Sequence, residues 1–215
     1  LMNELRDSFS VLHVGSKKTG KTTASLQMIV DFWEYQRKPC LVLDLSNHPS
    51  FDRFRRVNIE DLPRLEQFTG RKYFVYRPTD PMNVYGKVLE FCQTLTQYVR
   101  NTAVVFEDFT TYLQGNIHPV IKNMLLGSRN ACNDYVFNVH SFSDVGPFAL
   151  NHCEIYIVRN TTDNPDDLPH KIPYSVRPLV AQAIREINRE NRNVREGQPR
   201  LAFRTILKDE GRILK

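Results

Sequence analysis

The residues Gly15-Ser16-Lys17-Lys18-Thr19-Gly20-Lys21-Thr22 fill every fixed position of the pattern GxxxxGK followed by Ser or Thr. That spacing suits the capture of a polyphosphate. Gly15 and Gly20 let the backbone curl until successive N–H groups converge on one phosphate, and a following helix adds the partial positive charge of its N-terminus. Lys21 is placed to reach β- and γ-phosphates and Thr22 to offer a hydroxyl to Mg2+, which makes ATP and Mg2+ the expected cofactors. Ser16, Lys17, Lys18, Thr19 and Thr23 complete the cradle.

A bound triphosphate also needs a carboxylate for the metal's water shell and, if it is hydrolysed, a group that orients and deprotonates water. Ala103-Val-Val-Phe106 followed by Glu107-Asp108 supplies both. By position Glu107 falls where the metal-associated carboxylate belongs and Asp108 where the base belongs. The acid order is the reverse of the common Asp-Glu, so the division of roles stays open. His140, closing the next apolar run, is placed to sense the γ-phosphate.

Such groups must be carried by strand ends and helix starts. Strand-length apolar runs near Phe9–Val14, Cys40–Leu45, Lys72–Tyr76, Ala103–Glu107, Tyr135–Val139 and Glu154–Val158 alternate with helical periodicity over Thr22–Gln36, Asn83–Val99 and His118–Ala131. The pattern predicts an α/β fold with a mainly parallel central sheet flanked by helices. Two strands lie in sequence between the phosphate-loop strand and Val104-Val-Phe106, so at least one of them is expected to insert between these two in the sheet, as in motor-type ATPases. An Asn-Lys-x-Asp guanine reader is missing.

Hydrophobic residues at 41% and charged residues at 25% exclude a disordered or fibrous chain and suit a single domain over 1–215. The sequence holds no run long enough to span a membrane, and the opening LMNELRDSFS lacks the order of a signal peptide, so an intracellular, cytoplasmic chain is expected. Four cysteines without a CxxC pair suggest buried thiols rather than a zinc site or disulfides. The net charge of +5 is uneven: residues 1–170 hold 18 basic and 19 acidic residues, whereas 171–215 hold 11 and 5. A roughly neutral core over 1–170 is therefore completed by a basic tail. The acidic, proline-rich stretch Asn160–Tyr174 reads as a loop, a helix is expected to open at Pro178 and stop at Gly197 and Pro199, and Leu201–Leu207 with Arg212–Leu214 reads as a hairpin. Arg185, Arg189 and Arg192 share a helix face, either a track for a phosphate backbone or a solvated face partly neutralised by Glu186, Glu190 and Glu196; Arg53, Arg55 and Arg56 form a second cluster.

GSKKTGKT at 15–22, VVFED at 104–108, LLGSRN with DYVFNVHSF at 125–142 and Glu154-Ile-Tyr-Ile-Val-Arg-Asn-Thr-Thr-Asp163 together resemble the FtsK–HerA superfamily, and within it the viral genome-packaging branch that includes poxvirus-type packaging ATPases and relatives in phages and mobile elements. The resemblance covers roughly residues 9–163; the Glu-Asp order and His140 in place of a more usual Gln are departures. It implies a RecA-like P-loop ATPase that works as a ring, commonly a hexamer, and moves double-stranded DNA with Mg2+ and ATP, in the host cytoplasm or the virion, alongside capsid or other viral proteins. It also implies an arginine supplied from a neighbouring subunit, for which Arg129 is the first candidate and Arg159 the second. A small-molecule or nucleotide phosphotransferase and a non-hydrolysing nucleotide-binding module are the alternatives.

Overall fold

The computed structural model describes residues 8–70, 72–195 and 198–215. Its strands are β1 (Ser10–Val14), β2 (Cys40–Asp44), β3 (Arg55–Arg56), β4 (Tyr73–Tyr76), β5 (Ala103–Glu107), β6 (Asp134–Val139), β7 (Ile155–Arg159), β8 (Phe203–Leu207) and β9 (Arg212–Leu214). Its α-helices are α1 (Lys21–Gln36), α2 (Val84–Tyr98), α3 (Pro119–Ala131), α4 (Pro147–His152) and α5 (Arg177–Glu190). All strands form one sheet in the order β3-β4-β2-β5-β6-β1-β7-β8-β9, parallel through β7, with β8 and β9 antiparallel. The expected α/β sheet and terminal hairpin are both present, and the hairpin extends the central sheet rather than standing apart from it.

The expected inserted strand is a different one. Neither β2 nor β4 lies between β1 and β5; that slot holds β6, paired with both. The reason is the direction of the crossovers. The α1 connection carries the chain three positions from β1, leaving room for two strands, and after β4 the chain reverses, so β5 and β6 fill the gap on the way back to β7. Right-handed crossovers running in opposite directions put their helices on opposite faces. Accordingly Ile29 and Phe32 of α1 pack with Val11, Val42, Val105, Val136 and Ile157, whereas α2, α3, α4 and α5 pack with Leu12, Leu43, Val104, Phe137 and Val158. This split opens a crevice at the carboxyl ends of β1, β6 and β5, the usual place for a ligand in an open α/β sheet.

Two further details differ from expectation. The tail helix runs from Arg177 to Glu190 and passes into a 3-10 turn at Asn191–Asn193, short of Pro199; Gly197 and Glu196 lie outside the described residues. The two-residue edge strand β3 and the short helix α4 carry too little apolar periodicity to stand out in sequence. The cysteines are free, with Cys40, Cys92 and Cys153 buried as expected and Cys132 partly so.

At the amino ends of the strands a buried ion pair holds three of them together. Lys38 Nζ lies 2.7 Å from Asp134 Oδ2, both side chains almost fully buried, and Asp134 Oδ1 accepts from Phe9 N at 3.1 Å. Removing one member of a buried pair strands the other charge, which typically costs about 3–5 kcal/mol. Lys38→Met is therefore expected to lower unfolding free energy by about that amount in urea titration, and a loss below about 1 kcal/mol, the scale of an exposed pair, would show that the pair is not structural.

Candidate nucleotide-binding site

Side chains alternate across a strand, so residues two apart share a face. On the α1 face, five adjacent strands each replace an apolar residue by a polar one at the carboxyl end: Val42 then Asp44, Val105 then Glu107, Val136 then Asn138, Val11 then His13, and Ile157 then Arg159. In sheet order the polar row reads Asp44, Glu107, Asn138, His13, Arg159, acidic at one end and cationic at the other. All five are buried. Register confirms the row directly for Asp44 opposite Glu107 and His13 opposite Asn138.

The phosphate loop lies across this row and is fastened to it. Gly15 N donates to Val139 O at 3.1 Å and Ser16 N to Asn160 O at 2.8 Å, tying the loop to the ends of β6 and β7. A Cβ on Gly15 would meet Thr19 Oγ1 at 2.8 Å and Arg159 Cβ at 2.9 Å, so only glycine fits there. Gly20 sits at φ 84°, a left-handed conformation, immediately before α1. Arg159 braces the loop from below: Nε donates to His13 Nε2 at 2.7 Å, and Nη1 donates to Thr19 O at 2.9 Å and to Leu201 O at 3.2 Å. This corrects the expectation that Arg159 is a second candidate for an arginine acting on a neighbouring subunit. Its guanidinium is buried and committed within its own chain. Accepting from Arg159 makes His13 neutral with its proton on Nδ1, and burial, followed by the charges of Arg159 and Lys21, holds its pKa well below the ordinary value.

Around the loop, a cleft of about 440 Å3 is lined by Lys17, Lys18, Thr19, Gly20, Lys21, Thr22, Thr23, Glu107, Asp108 and His140, with Ser46 and His48 on the far wall. Lys21 Nζ folds back on the carbonyls of Gly15 and, at 2.9 Å, Ser16. Burial lowers its pKa to about 8, with Glu107 and Asp108 opposing the shift. Glu107 moves the other way, to about 7, chiefly through burial, against which an Asn138 hydrogen bond works and to which Asp44 adds. Its Oε1 is buried without a hydrogen-bond partner. A divalent cation beside Thr22 would satisfy that oxygen, and a hard cation already held by phosphate oxygens needs only one or two protein groups. Asp108, at φ 56°, turns out of the strand in a conformation costly for a non-glycine residue, and its Oδ1 lies 2.8 Å from His140 Nε2. The structure thus brings together the loop residues, Glu107, Asp108 and His140.

Arg129 is elsewhere. It is exposed near the end of α3, 3.2 Å from Glu154, whose other oxygen accepts from Ser10 N, which places it at the amino ends of the strands, away from its own cleft. In the tail, Arg185 pairs with Asp166 at 2.5 Å, while Glu186 and Glu190 form their ion pairs with the buried Arg204 of β8.

Sequence reasoning missed Asn138, Asp44, Ser46, His48 and Arg77. Asn138 is the strand-end amide beneath the loop, donating to Ser25 Oγ of α1 at 2.8 Å, and the polar residue two before His140 was its signal. The other four form a wall beyond Glu107 whose members come from the end of β2, the segment that follows it and the segment after β4, so no local pattern joins them.

A sheet of this order with a phosphate loop after β1 is the fold of RecA-like P-loop NTPases. Among solved structures the chain is similar to the genome packaging NTPase B204 from Sulfolobus turreted icosahedral virus 2 in complex with ATP-gammaS, at TM-score 0.68 and 14% identity over 99% of this chain and 97% of that one. The same NTPase in complex with AMPPCP matches at TM-score 0.67 and 15% identity, over 97% and 95%. The DNA-packaging ATPase B204 from Sulfolobus Turreted Icosahedral Virus matches at TM-score 0.63 and 12% identity, over 97% of each chain. No protein-family model matches the sequence, and no curated protein does.

The raised pKa of Glu107 has a sign. Its carboxyl holds a proton more tightly folded than unfolded, so its stabilising effect is complete below about 4.5 and is lost as pH rises through about 7. Glu107→Gln is expected to remove that loss and make the nucleotide-free protein more stable at pH 8 than wild type, by on the order of 1–3 kcal/mol. Thermal unfolding at pH 5 and pH 8 checks it; equal pH dependence in the two proteins would contradict the assignment.

Proposed function

We propose that the chain is an Mg2+-dependent ATPase that drives double-stranded DNA into a viral, phage or mobile-element particle, working as a ring of identical subunits. The observation that carries this reading is the cleft itself, in which Lys21, Thr22, Glu107, Asp108 and His140 converge on one loop within a fold matched almost end to end by genome-packaging NTPases. The B204 structures were solved with ATP-gammaS and AMPPCP, which supports nucleotide binding here.

In the proposed mechanism the N–H groups of the loop and Lys21 hold the β- and γ-phosphates, and Lys21 exchanges the carbonyls of Gly15 and Ser16 for phosphate oxygens. Thr22 and Glu107 would hold Mg2+, which would supply positive charge beside the transferring phosphoryl group. Asp108, at the mouth of the cleft and paired with His140, orients the attacking water and accepts its proton, while His140 reads the γ-phosphate through that pair. Arg129, exposed and away from its own cleft, is the group offered to a neighbour in the ring. The outward arginines of the tail, Arg189 and Arg192, are the surface proposed to track DNA phosphates, and capsid or other viral proteins would receive the ring.

A coupled assay tests this reading. Linear duplex DNA is expected to stimulate ATP hydrolysis by wild type. Lys21→Ala is expected to abolish nucleotide binding, and Asp108→Asn to lower kcat by about 10²–10⁴-fold while ATP affinity stays within a few-fold. Phosphorylation of a small molecule with no response to DNA would favour a phosphotransferase instead, and unchanged turnover in Asp108→Asn would remove it as the base.

A further inference from the structure

The far wall of the cleft is built with more care than its place beyond the two catalytic carboxylates requires. Ser46 and His48 line it, on the segment that leaves β2. The buried Asp44 carboxylate gathers that segment from four sides: Oδ1 accepts from Ser46 N at 3.2 Å and Ser46 Oγ at 3.1 Å, and Oδ2 from His48 N at 2.9 Å and Arg77 Nε at 2.8 Å. Arg77 closes the clamp by donating from Nη2 to His48 O and from Nη1 to Asp52, each at 2.8 Å. The imidazole is then fixed edgewise against Phe51, and its Nδ1 accepts from Ser50 N at 3.3 Å. An accepting Nδ1 leaves the proton on Nε2. A side chain held by its backbone, its ring and its tautomer presents one donor, and the cleft is the space that it borders.

We propose that His48 is a further catalytic residue, whose Nε2–H donates to a γ-phosphoryl oxygen from the side opposite the phosphate loop. Resting on the nucleotide reading above, it gives the γ-phosphate two imidazoles, His140 on the Asp108 side and His48 on the β2 side, with Asp44 and Arg77 as positioning residues for the second. Such a preorganised donor acts where charge sits on the transferring group and makes no contact with a diphosphate. The contact therefore discriminates triphosphate from diphosphate.

Two substitutions separate this role from a structural one. Asparagine reproduces the Nδ1 acceptor for Ser50 N but does not reach the Nε2 position; glutamine places an amide donor near Nε2. Affinities for AMPPCP and for ADP, both with Mg2+, are measured by calorimetry on the full chain. His48→Asn is expected to weaken AMPPCP about tenfold or more with ADP within about twofold, and His48→Gln to recover a substantial part of the AMPPCP loss. Unchanged AMPPCP binding in His48→Asn, or equal losses for both nucleotides, overturns the assignment. Should His48→Asn fail to fold, His48→Gln decides: a preference for AMPPCP over ADP near that of wild type supports the role, and its loss overturns it. Wild type that binds AMPPCP yet shows no response to duplex DNA would refute the packaging reading while leaving the His48 comparison intact.

Discussion

Five polar side chains buried side by side across a sheet are a constraint on everything above them. Burying an amide, an imidazole or a carboxylate without a partner costs a few kcal/mol, so the row persists where other groups meet it: Asp44 is held by Ser46, His48 and Arg77, Asn138 by Ser25 of α1, and Arg159 ties His13 to the loop. Arg159 shows how. Its guanidinium reaches the carbonyls of Thr19 and Leu201 and the ring of His13, joining the loop, the segment before β8 and the row in one set of bonds. The phosphate loop is thereby shaped by its own chain and also linked to the basic tail.

The same row leaves specific positions unfinished. Glu107 keeps one oxygen unpaired, Asn138 its amide oxygen, and His13 its Nδ1. Lys21 donates to loop carbonyls and loses basicity through burial. Acid and base thus approach each other in pKa because neither is fully compensated. A metal and a polyphosphate would complete both.

The phosphate loop was legible because its parts are contiguous: eight residues carry the turn, the donors and the lysine together. Glu107, Asp108 and His140 were legible because each follows an apolar run. The inserted strand was not, since chain order does not show which way a crossover turns, and β6 fills the gap that the α1 connection opens. Arg159 was misread for a related reason. The spacing Ile157-Val158-Arg159 places it on the face of Ile157, but that this face lies under the loop appears only once β7 is known to pair with β1. His48 and Arg77 meet through Asp44 across 29 residues of sequence and leave no local trace.

Completion of the cleft by nucleotide and metal is tested most directly by a crystal structure of the chain with Mg2+ and AMPPCP. The β-phosphate should lie within the loop of residues 15–22, with Lys21 released from the Gly15 and Ser16 carbonyls and Mg2+ beside Thr22 Oγ1 and Glu107 Oε1. Nucleotide bound outside the loop, or Lys21 still on those carbonyls with the nucleotide in place, would contradict it.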